Sequence, residues 1–569
     1  MKENILSRRK LIEYYMKNCF KQEFTLILFL SVLVSLVSIP IPFLYKRIIN
    51  QITAISFNEI LYLVLIYILL LIIKTTLAFI SRRKTSSMQY DVAFTVGTDI
   101  YRHIFGLPYS YLVTRDKGDL MKLVSFDSNN LFYLITYGIL QILSLSFQLV
   151  IDLIIVVSLF GAGSLIVLFL APVCFYFIRK GTKIVETYGR NYEEARKNFF
   201  SYTYSPLTKI KEIKSRRLET FLSAKMEEAN NELKIHGRKY GYANTSLYYS
   251  YDFFDQGIYA LFFLIGCYQV SIGSMSLGTF FAVLYVFNSI VTGLSSLSFA
   301  VIDNYLKNIP SLDRLVELYS IPVKYGDKYP PVNTELEVKF DKVEFSYPGS
   351  DFSLKIGSLA LCTGKKYCLI GKTGSGKSTL FDLITGIQFP TSGNITLNGI
   401  NTNEVAETWW QQNVVILLQD SSIFKGSIKE NIILDDIDKS LDIKAFVKSL
   451  GLAGFFNRFQ KGLSTEANEG YSLSGGEKQM IGAIRLLLKK DCQIALIDEG
   501  KKGLDKALAT QIDDLFYTSL DNKLSITITH DLSEISRFDE IIYIHAGKVH
   551  CGTHIELLKN EDYKNYLKR

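Results

Sequence analysis

The sequence predicts a multi-domain membrane protein: an all-α domain of six membrane-spanning helices with long helical extensions beyond the bilayer, followed by an α/β domain. Three observations carry this. Up to residue 305 the chain holds long runs almost free of charge. After residue 335, short apolar runs alternate with clusters of Gly, Asp and Lys. One of those short runs opens directly into a glycine-rich loop and then a helix-like segment. Composition agrees, since 48 % of the 569 residues are apolar, 21 % are charged, and the mean hydropathy is +0.18. That balance excludes a disordered or fibrous chain and calls for membrane-buried segments beside a soluble part.

Residues 24–44 are 21 positions without a charge, enough to cross a hydrocarbon core of about 30 Å at about 1.5 Å per residue. Residues 60–80 form a second span, interrupted by Lys74. Residues 131–178 are 48 positions with one charge, Asp152. This run is too long for one helix and divides at Gly161-Ala162-Gly163-Ser164 into a third and a fourth span. Asp255 opens the fifth, and residues 277–302 are the sixth. The chain thus reads as a terminal segment 1–23, a transmembrane domain 24–305, a proline-containing linker 306–334 and a soluble domain 335–569.

Charge places these parts. The 63 Lys and Arg exceed the 55 Asp and Glu by eight. They gather in residues 1–23, 81–130 and 179–240, while the turns at 161–164 and 271–276 carry none. The positive-inside rule puts both termini and the two long loops in the cytoplasm, with Lys46 and Arg47 a small exception outside. The basic excess is accounted for by topology, so no nucleic-acid partner is expected. The first run is of full span length and lacks a small-residue cleavage site, which argues against a cleaved signal peptide. Seven cysteines without metal-ligand spacing argue against a zinc site or a disulfide framework.

The strongest chemical signal is Gly371-Lys372-Thr373-Gly374-Ser375-Gly376-Lys377-Ser378-Thr379, placed between the apolar Tyr367-Cys368-Leu369-Ile370 and the helix-like residues 380–384. Glycines let backbone N–H groups wrap phosphates, and the helix N-terminus favours negative charge. The spacing lets Lys377 reach the β/γ-phosphates and Ser378 coordinate Mg2+. Residues 493–499 are an apolar strand ending in Asp498-Glu499. One carboxylate at such an end helps hold magnesium, and the second orients or deprotonates the attacking water. Asp498 and Glu499 fit those roles in ATP hydrolysis.

Between these motifs lies Leu473-Ser474-Gly475-Gly476-Glu477-Lys478-Gln479, and here the chain resembles the ATP-binding cassette transporters. Six spans followed by one nucleotide-binding domain resemble a half-transporter of the exporter type. The resemblance implies that Tyr347 stacks on adenine, that Gln419 senses Mg2+ and touches the membrane domain, that His530 is the switch histidine at the γ-phosphate, and that Asp505 closes the motif after the second strand. It implies a partner chain, identical or not, whose ATP site is completed by Ser474, Gly475 and Gly476. It implies coupling helices, which we expect near 124–130 and 200–207. The expected function is ATP-driven export of an amphipathic cargo (peptide, lipid or drug-like) from a bacterial cytoplasmic membrane. The alternatives are an importer of a metal chelate or vitamin, and an ATP-binding regulator with little transport. Glu499 and His530 together argue against the regulator, and an exporter that also cleaves a leader peptide is not expected.

Four departures from the family pattern stand out: Glu477 for Gln, Met480 for Arg, an irregular Glu466-Ala467-Asn468-Glu469, and Gly500-Lys501-Lys502-Gly503 after the glutamate. The glycines are expected to loosen that loop and the lysines to bring positive charge near the triphosphates, slowing hydrolysis. A Pro-Thr-Ser-Ala replacement would then raise turnover. In the membrane, Lys74 and Asp255 stand at similar depth and are expected to pair or to line the cargo cavity, without Asp152. Tyr248, Tyr249, Tyr251, Phe253, Phe254 and Tyr259, beside Asp252 and Asp255, form an aromatic surface suited to a bulky cationic cargo.

Overall fold

The structure is a computed structural model that describes residues 7–52, 56–115, 117–161, 165–207, 209–323, 326–331, 335–347, 349, 352–434, 442–457, 459, 461–467 and 473–568. The expected turn residues Ala162–Ser164 (162–164), Asn468 and Glu469, and the side chains of Tyr251 and Phe254, lie outside the described residues. The chain divides into two compact units, Met1–Ile104 with Lys117–Ile321, and Phe105–Asp116 with Pro322–Arg569.

The first unit is helical. Five helices of the described residues are long and apolar enough to cross a membrane: Lys21–Gln51, Phe57–Phe105, Gly118–Phe160, Glu219–Ser271 and Leu277–Ser320. The remaining expected span falls in the helix Leu165–Leu207. Phe57–Phe105 has 49 residues, roughly 74 Å at about 1.5 Å each, more than twice the hydrocarbon thickness. The expected extensions beyond the bilayer are therefore present. The first span is two helices, Lys21–Ser38 and Pro40–Gln51, joined at Ile39. Pro40 stands in the first turn of the second helix, where a missing N–H costs nothing.

Polar groups within the spans find partners. Asp152 is buried and accepts from Gln148 Nε2 at 2.9 Å and from Ser289 Oγ at 2.8 Å. Lys74 interacts electrostatically with Asp152, while Asp255 accepts from Ser295 Oγ at 2.7 Å. The expected pairing of Lys74 with Asp255 is not formed among the described residues, where Ser295 satisfies Asp255 instead.

A second correction concerns 306–334. Within the range read as linker, Ile309–Ser320 is a helix of the first unit. Arg8 pairs with Asp313 at 2.5 Å, the Tyr15 and Tyr319 hydroxyls meet at 2.9 Å, and His103 Nε2 lies 3.0 Å from the Leu318 carbonyl. Arg314 donates twice to the fully buried Asp127, at 2.9 and 2.6 Å, and Asn130 donates to Ser311 at 2.8 Å. Of residues 124–130, expected as a coupling helix, Asp127 and Ser128 are buried in the first unit while Ser125 and Phe126 are exposed. Residues Phe105–Asp116, with the short helix Tyr109–Thr114, belong instead to the second. Removing Arg314 strands a buried carboxylate. We expect Arg314→Ala to cost about 3 kcal/mol, seen as a lowered thermal midpoint of the detergent-solubilised protein, and an unchanged midpoint would refute the pair's structural weight.

Among the described residues the second unit has twelve strands: β1 (Glu337–Ser346), β2 (Ser353–Cys362), β3 (Lys366–Gly371), β4 (Ser392–Leu397), β5 (Ile400–Asn401), β6 (Val414–Leu417), β7 (Gly426–Ser427), β8 (Glu466–Ala467), β9 (Ile494–Asp498), β10 (Leu524–Ile528), β11 (Glu540–His545) and β12 (Lys548–Gly552). Ten form one sheet in the order β5-β4-β1-β2-β12-β11-β3-β10-β9-β6, and β7 pairs with β8. β1 and β2 alternate exposed and buried residues, as antiparallel strands with one wet face do. β3, β9 and β10 are buried almost throughout, which is why their sequences read as continuous apolar runs. A second core, with Ile428, Phe455, Met480, Ile481 and Ile484, forms the helical subdomain.

Candidate active site

Four neighbouring strands, β3, β10, β9 and β6, run parallel. Ile528 is level with both Leu369 and Asp498, and Leu417 is level with Ile497. The segments leaving their C-terminal ends are therefore brought to one edge: the glycine loop after β3, His530 after β10, Asp498-Glu499 at the end of β9, and Gln419 after β6. An open parallel sheet binds ligands at this edge.

The geometry there is tight. Glu499 is shared by two partners. Gln419 Nε2 donates to its Oε2 at 2.8 Å, and His530 Nε2 lies 3.0 Å from its Oε1. Glu499 adopts φ +49°, a left-handed conformation unfavourable for a side chain with Cβ, so the site holds local strain. Burial, with Glu499 adjacent, raises the pKa of Asp498, and Lys377 and His530 pull the other way.

The glycine loop forms a ring round a cation. Lys377 Nζ donates to the carbonyls of Gly371 at 2.8 Å and Lys372 at 3.1 Å. Burial lowers its pKa, opposed by Asp498 and Glu499. Gly374 and Gly376 take φ +77° and +109°, so these two positions require glycine. Gly376 precedes the helix Lys377–Ile384, which contains Ser378 and Thr379. Ser375 Oγ is buried without a hydrogen-bond partner among the described residues. An oriented, unpaired donor inside a loop of turned-in amides fits a phosphate. Tyr347 reaches the same loop, its hydroxyl 3.1 Å from Thr379 Oγ1; Thr373 follows Lys372 in the loop's turn.

Two expected site segments lie elsewhere. Ser474 caps the helix Gly475–Leu488, accepting from Glu477 N at 3.3 Å while Glu477 Oε2 accepts from Ser474 N at 2.8 Å. This reciprocal capping explains Glu477, and the pattern Ser-x-x-Glu is itself readable in the sequence. Met480 is fully buried in the subdomain core, where an arginine would lose its hydration. Asp505 caps the helix Lys506–Ser519, accepting from Leu508 N at 3.0 Å. The two segments touch, because a Cβ at Gly476 would lie 2.3 Å from the Gly503 carbonyl.

The loop Gly500–Gly503 (500–503) differs from expectation. A Cβ on Gly500 would come within 2.7 Å of Ile497 Cγ2 and 3.1 Å of Phe516, so glycine there answers close packing rather than slack. Gly503 takes φ +79°. Lys501 turns into the fold, to Asp513 at 2.7 Å and Glu534 at 2.6 Å. Lys502 remains half exposed, 4.0 Å from Glu499. The reading of a loosened loop with both lysines at the phosphates is corrected for Lys501, and a Pro-Thr-Ser-Ala replacement would disrupt this packing.

A helical unit long enough to span a membrane, fused to an α/β unit whose parallel-strand ends carry a phosphate loop, paired acids and a histidine, defines a membrane-bound nucleotide hydrolase. Residues 24–294 match the family model "ABC transporter transmembrane region" and residues 354–501 match "ABC transporter". The chain belongs to the ATP-binding cassette transporters. It is 26 % identical to the nisin transport ATP-binding protein NisT of Lactococcus lactis subsp. lactis over 92 % of this chain and 90 % of that protein. It is 27 % identical to a putative export ATP-binding/permease protein of Rickettsia bellii, over 95 % of each. It spans only 60 % of the length of ABC transporter B family member 1 of Dictyostelium discoideum, at 26 % identity. The structure of a bacterial Atm1-family ABC exporter with ATP bound superposes with TM-score 0.85 at 20 % identity, covering 97 % of this chain and 98 % of that one, and so shares its fold. The protein is an integral membrane half-transporter that binds ATP and couples its hydrolysis to transport.

Proposed function

We propose that this half-transporter exports an amphipathic peptide, lipid or drug-like molecule across a bacterial cytoplasmic membrane, with its termini and ATPase domain in the cytoplasm. The observation that carries the reading is Glu499, held between Gln419 and His530 at the strand edge beside the phosphate loop. Glu499 is the base that orients water, and His530 reports on the γ-phosphate. Lys377 and the amides of residues 371–379 hold the triphosphate, and Tyr347 stacks on the adenine. Ser378, Gln419 and Asp498 offer hydroxyl, amide and carboxylate oxygens, a donor set suited to Mg2+, which neutralises phosphate charge when bound. Ser474, Gly475 and Gly476, at the start of a 14-residue helix, present N–H groups and a positive dipole end to the partner chain's nucleotide; Asp505 steadies the loop beside them.

The cargo class is supported by the inner part of the fifth span. Tyr248, Tyr249 and Phe253 are exposed there near Asp252 and Asp255, while Tyr259 packs into the helical core. Two relatives are named for amphipathic cargo, nisin and the lipid A core. Inside-out proteoliposomes test the reading. ATP-dependent accumulation of a fluorescent cationic amphipathic peptide or lipid, with ATPase stimulated severalfold, is expected. ATP-driven movement in the opposite direction would establish an importer.

A further inference from the structure

We propose that Lys501 is a positioning residue for ATP hydrolysis: its ammonium clamps the loop after Glu499 to two other segments and so holds Glu499 against His530. The inference rests on Glu499 and His530 acting as assigned above.

Glu499 sits at φ +49°, a conformation that persists only where its surroundings impose it. The backbone contributes Glu499 N to the Ile528 carbonyl at 3.1 Å and Lys502 N to the Glu499 carbonyl at 3.0 Å. The second of these is internal to the turn and fixes its shape without fixing its place. Lys501 supplies the external tie. Its Nζ reaches Asp513 Oδ2 at 2.7 Å, on the helix Lys506–Ser519, and Glu534 Oε2 at 2.6 Å, on the turn Leu532–Arg537. That turn begins two residues after His530. One cation therefore joins the loop of the catalytic carboxylate, the helix following it and the segment carrying the histidine.

Packing fixes Gly500 against Ile497 and Phe516, whereas Lys501 borders a cavity of about 330 Å³ shared with Glu499, Asp513, His530 and Glu534, and there its ion pairs span the gap. The three clamp groups are 28, 22 and 25 % exposed, so their hydrogen bonds are shielded enough to exceed surface ion pairs. Burial alone would lower the Lys501 pKa, but its bonds to Asp513 and Glu534 outweigh that and raise it. Arg537 also approaches Asp513, at 3.9 Å, yet it turns mainly to Asp514 at 3.1 Å and reaches no residue of the loop.

The purified full-length protein in lipid nanodiscs tests the clamp. Lys501→Met should lower kcat about tenfold, less than the roughly hundredfold that a 1 Å misplacement can cost, while KM for ATP changes less than twofold. Lys501→Arg should restore at least half of the wild-type kcat. The double variant Lys501→Met/Glu534→Gln should stay slow, because the tie is still missing although the opposed carboxylates are relieved. Wild-type kcat in Lys501→Met, or recovery in the double variant, would overturn the proposal, as would a fall in kcat matched by an equal rise in KM. If Lys501→Met does not fold, Glu534→Gln decides: kcat about threefold lower supports the clamp and unchanged kcat overturns it. Glu499→Gln, run beside these, separates the two claims, since activity in that variant removes the assignment of Glu499 whatever Lys501 does.

Discussion

Glu499→Gln should bind ATP within about twofold of wild type and hydrolyse it roughly 10²- to 10³-fold more slowly, the range expected for loss of a general base. The amide keeps the shape of the carboxylate. Its oxygen can still accept from Gln419, now 2.8 Å from Glu499 Oε2, and its NH2 can donate to a neutral His530. The backbone at φ +49° is no worse for Gln than for Glu, so the turn that holds the residue survives. What is lost is the negative charge that aligns water and receives its proton. The phosphate loop is formed by residues 371–379 on another strand and is untouched. Equilibrium binding of a fluorescent ATP analogue, set beside steady-state phosphate release, checks both halves. Turnover within fivefold of wild type would show that another group acts as the base.

The parts legible in the sequence are those in which local pattern and fold coincide. Residues 367–379 combine an apolar strand, a glycine-rich turn and a helix start, and one phosphate loop satisfies all three. Charge-free runs announce membrane helices because lipid tolerates no unpaired backbone group. The missed features depend on contacts between distant residues. Nothing local marks Lys501 as a clamp, because its partners stand 12 and 33 positions away. Gly500 looked like slack, since a sequence does not show that Phe516 and Ile497 fill the space beside it. The helix Ile309–Ser320 was hidden by Pro310, although proline at a first turn is compatible with helix. Depth alone pairs Lys74 with Asp255, but it does not show that Ser295 already satisfies that carboxylate. Glu477 is the exception, since Ser474 and Glu477 stand three residues apart and the capping pattern is local.

Lys377→Ala should act on the other half of the reaction, at binding. The Lys377 ammonium is partly buried, ringed by the carbonyls of Gly371 and Lys372, and faces Asp498 and Glu499. Carbonyl oxygens alone make a poor resting place for a cation held away from water, and phosphate oxygens offer it full negative charge. The exchange of partners on binding is therefore favourable, and hydrogen bonds to charged groups contribute about 1.5–3 kcal/mol, roughly a 10- to 150-fold change in Kd. Alanine removes that gain. It leaves the fold nearly intact, because Lys372 is exposed and its carbonyl can turn to water, the buried Gly371 carbonyl keeps the Tyr566 hydroxyl at 3.5 Å, and Ala suits the first turn of the helix Lys377–Ile384. The loop's glycines and the helix N-terminus still attract the triphosphate, so binding should weaken without vanishing. Titration at constant Mg2+ should give a Kd for ATP raised at least tenfold, with an unchanged thermal midpoint when no nucleotide is added. A Kd within twofold of wild type, together with slow turnover, would move Lys377 from ground-state binding to the transition state alone.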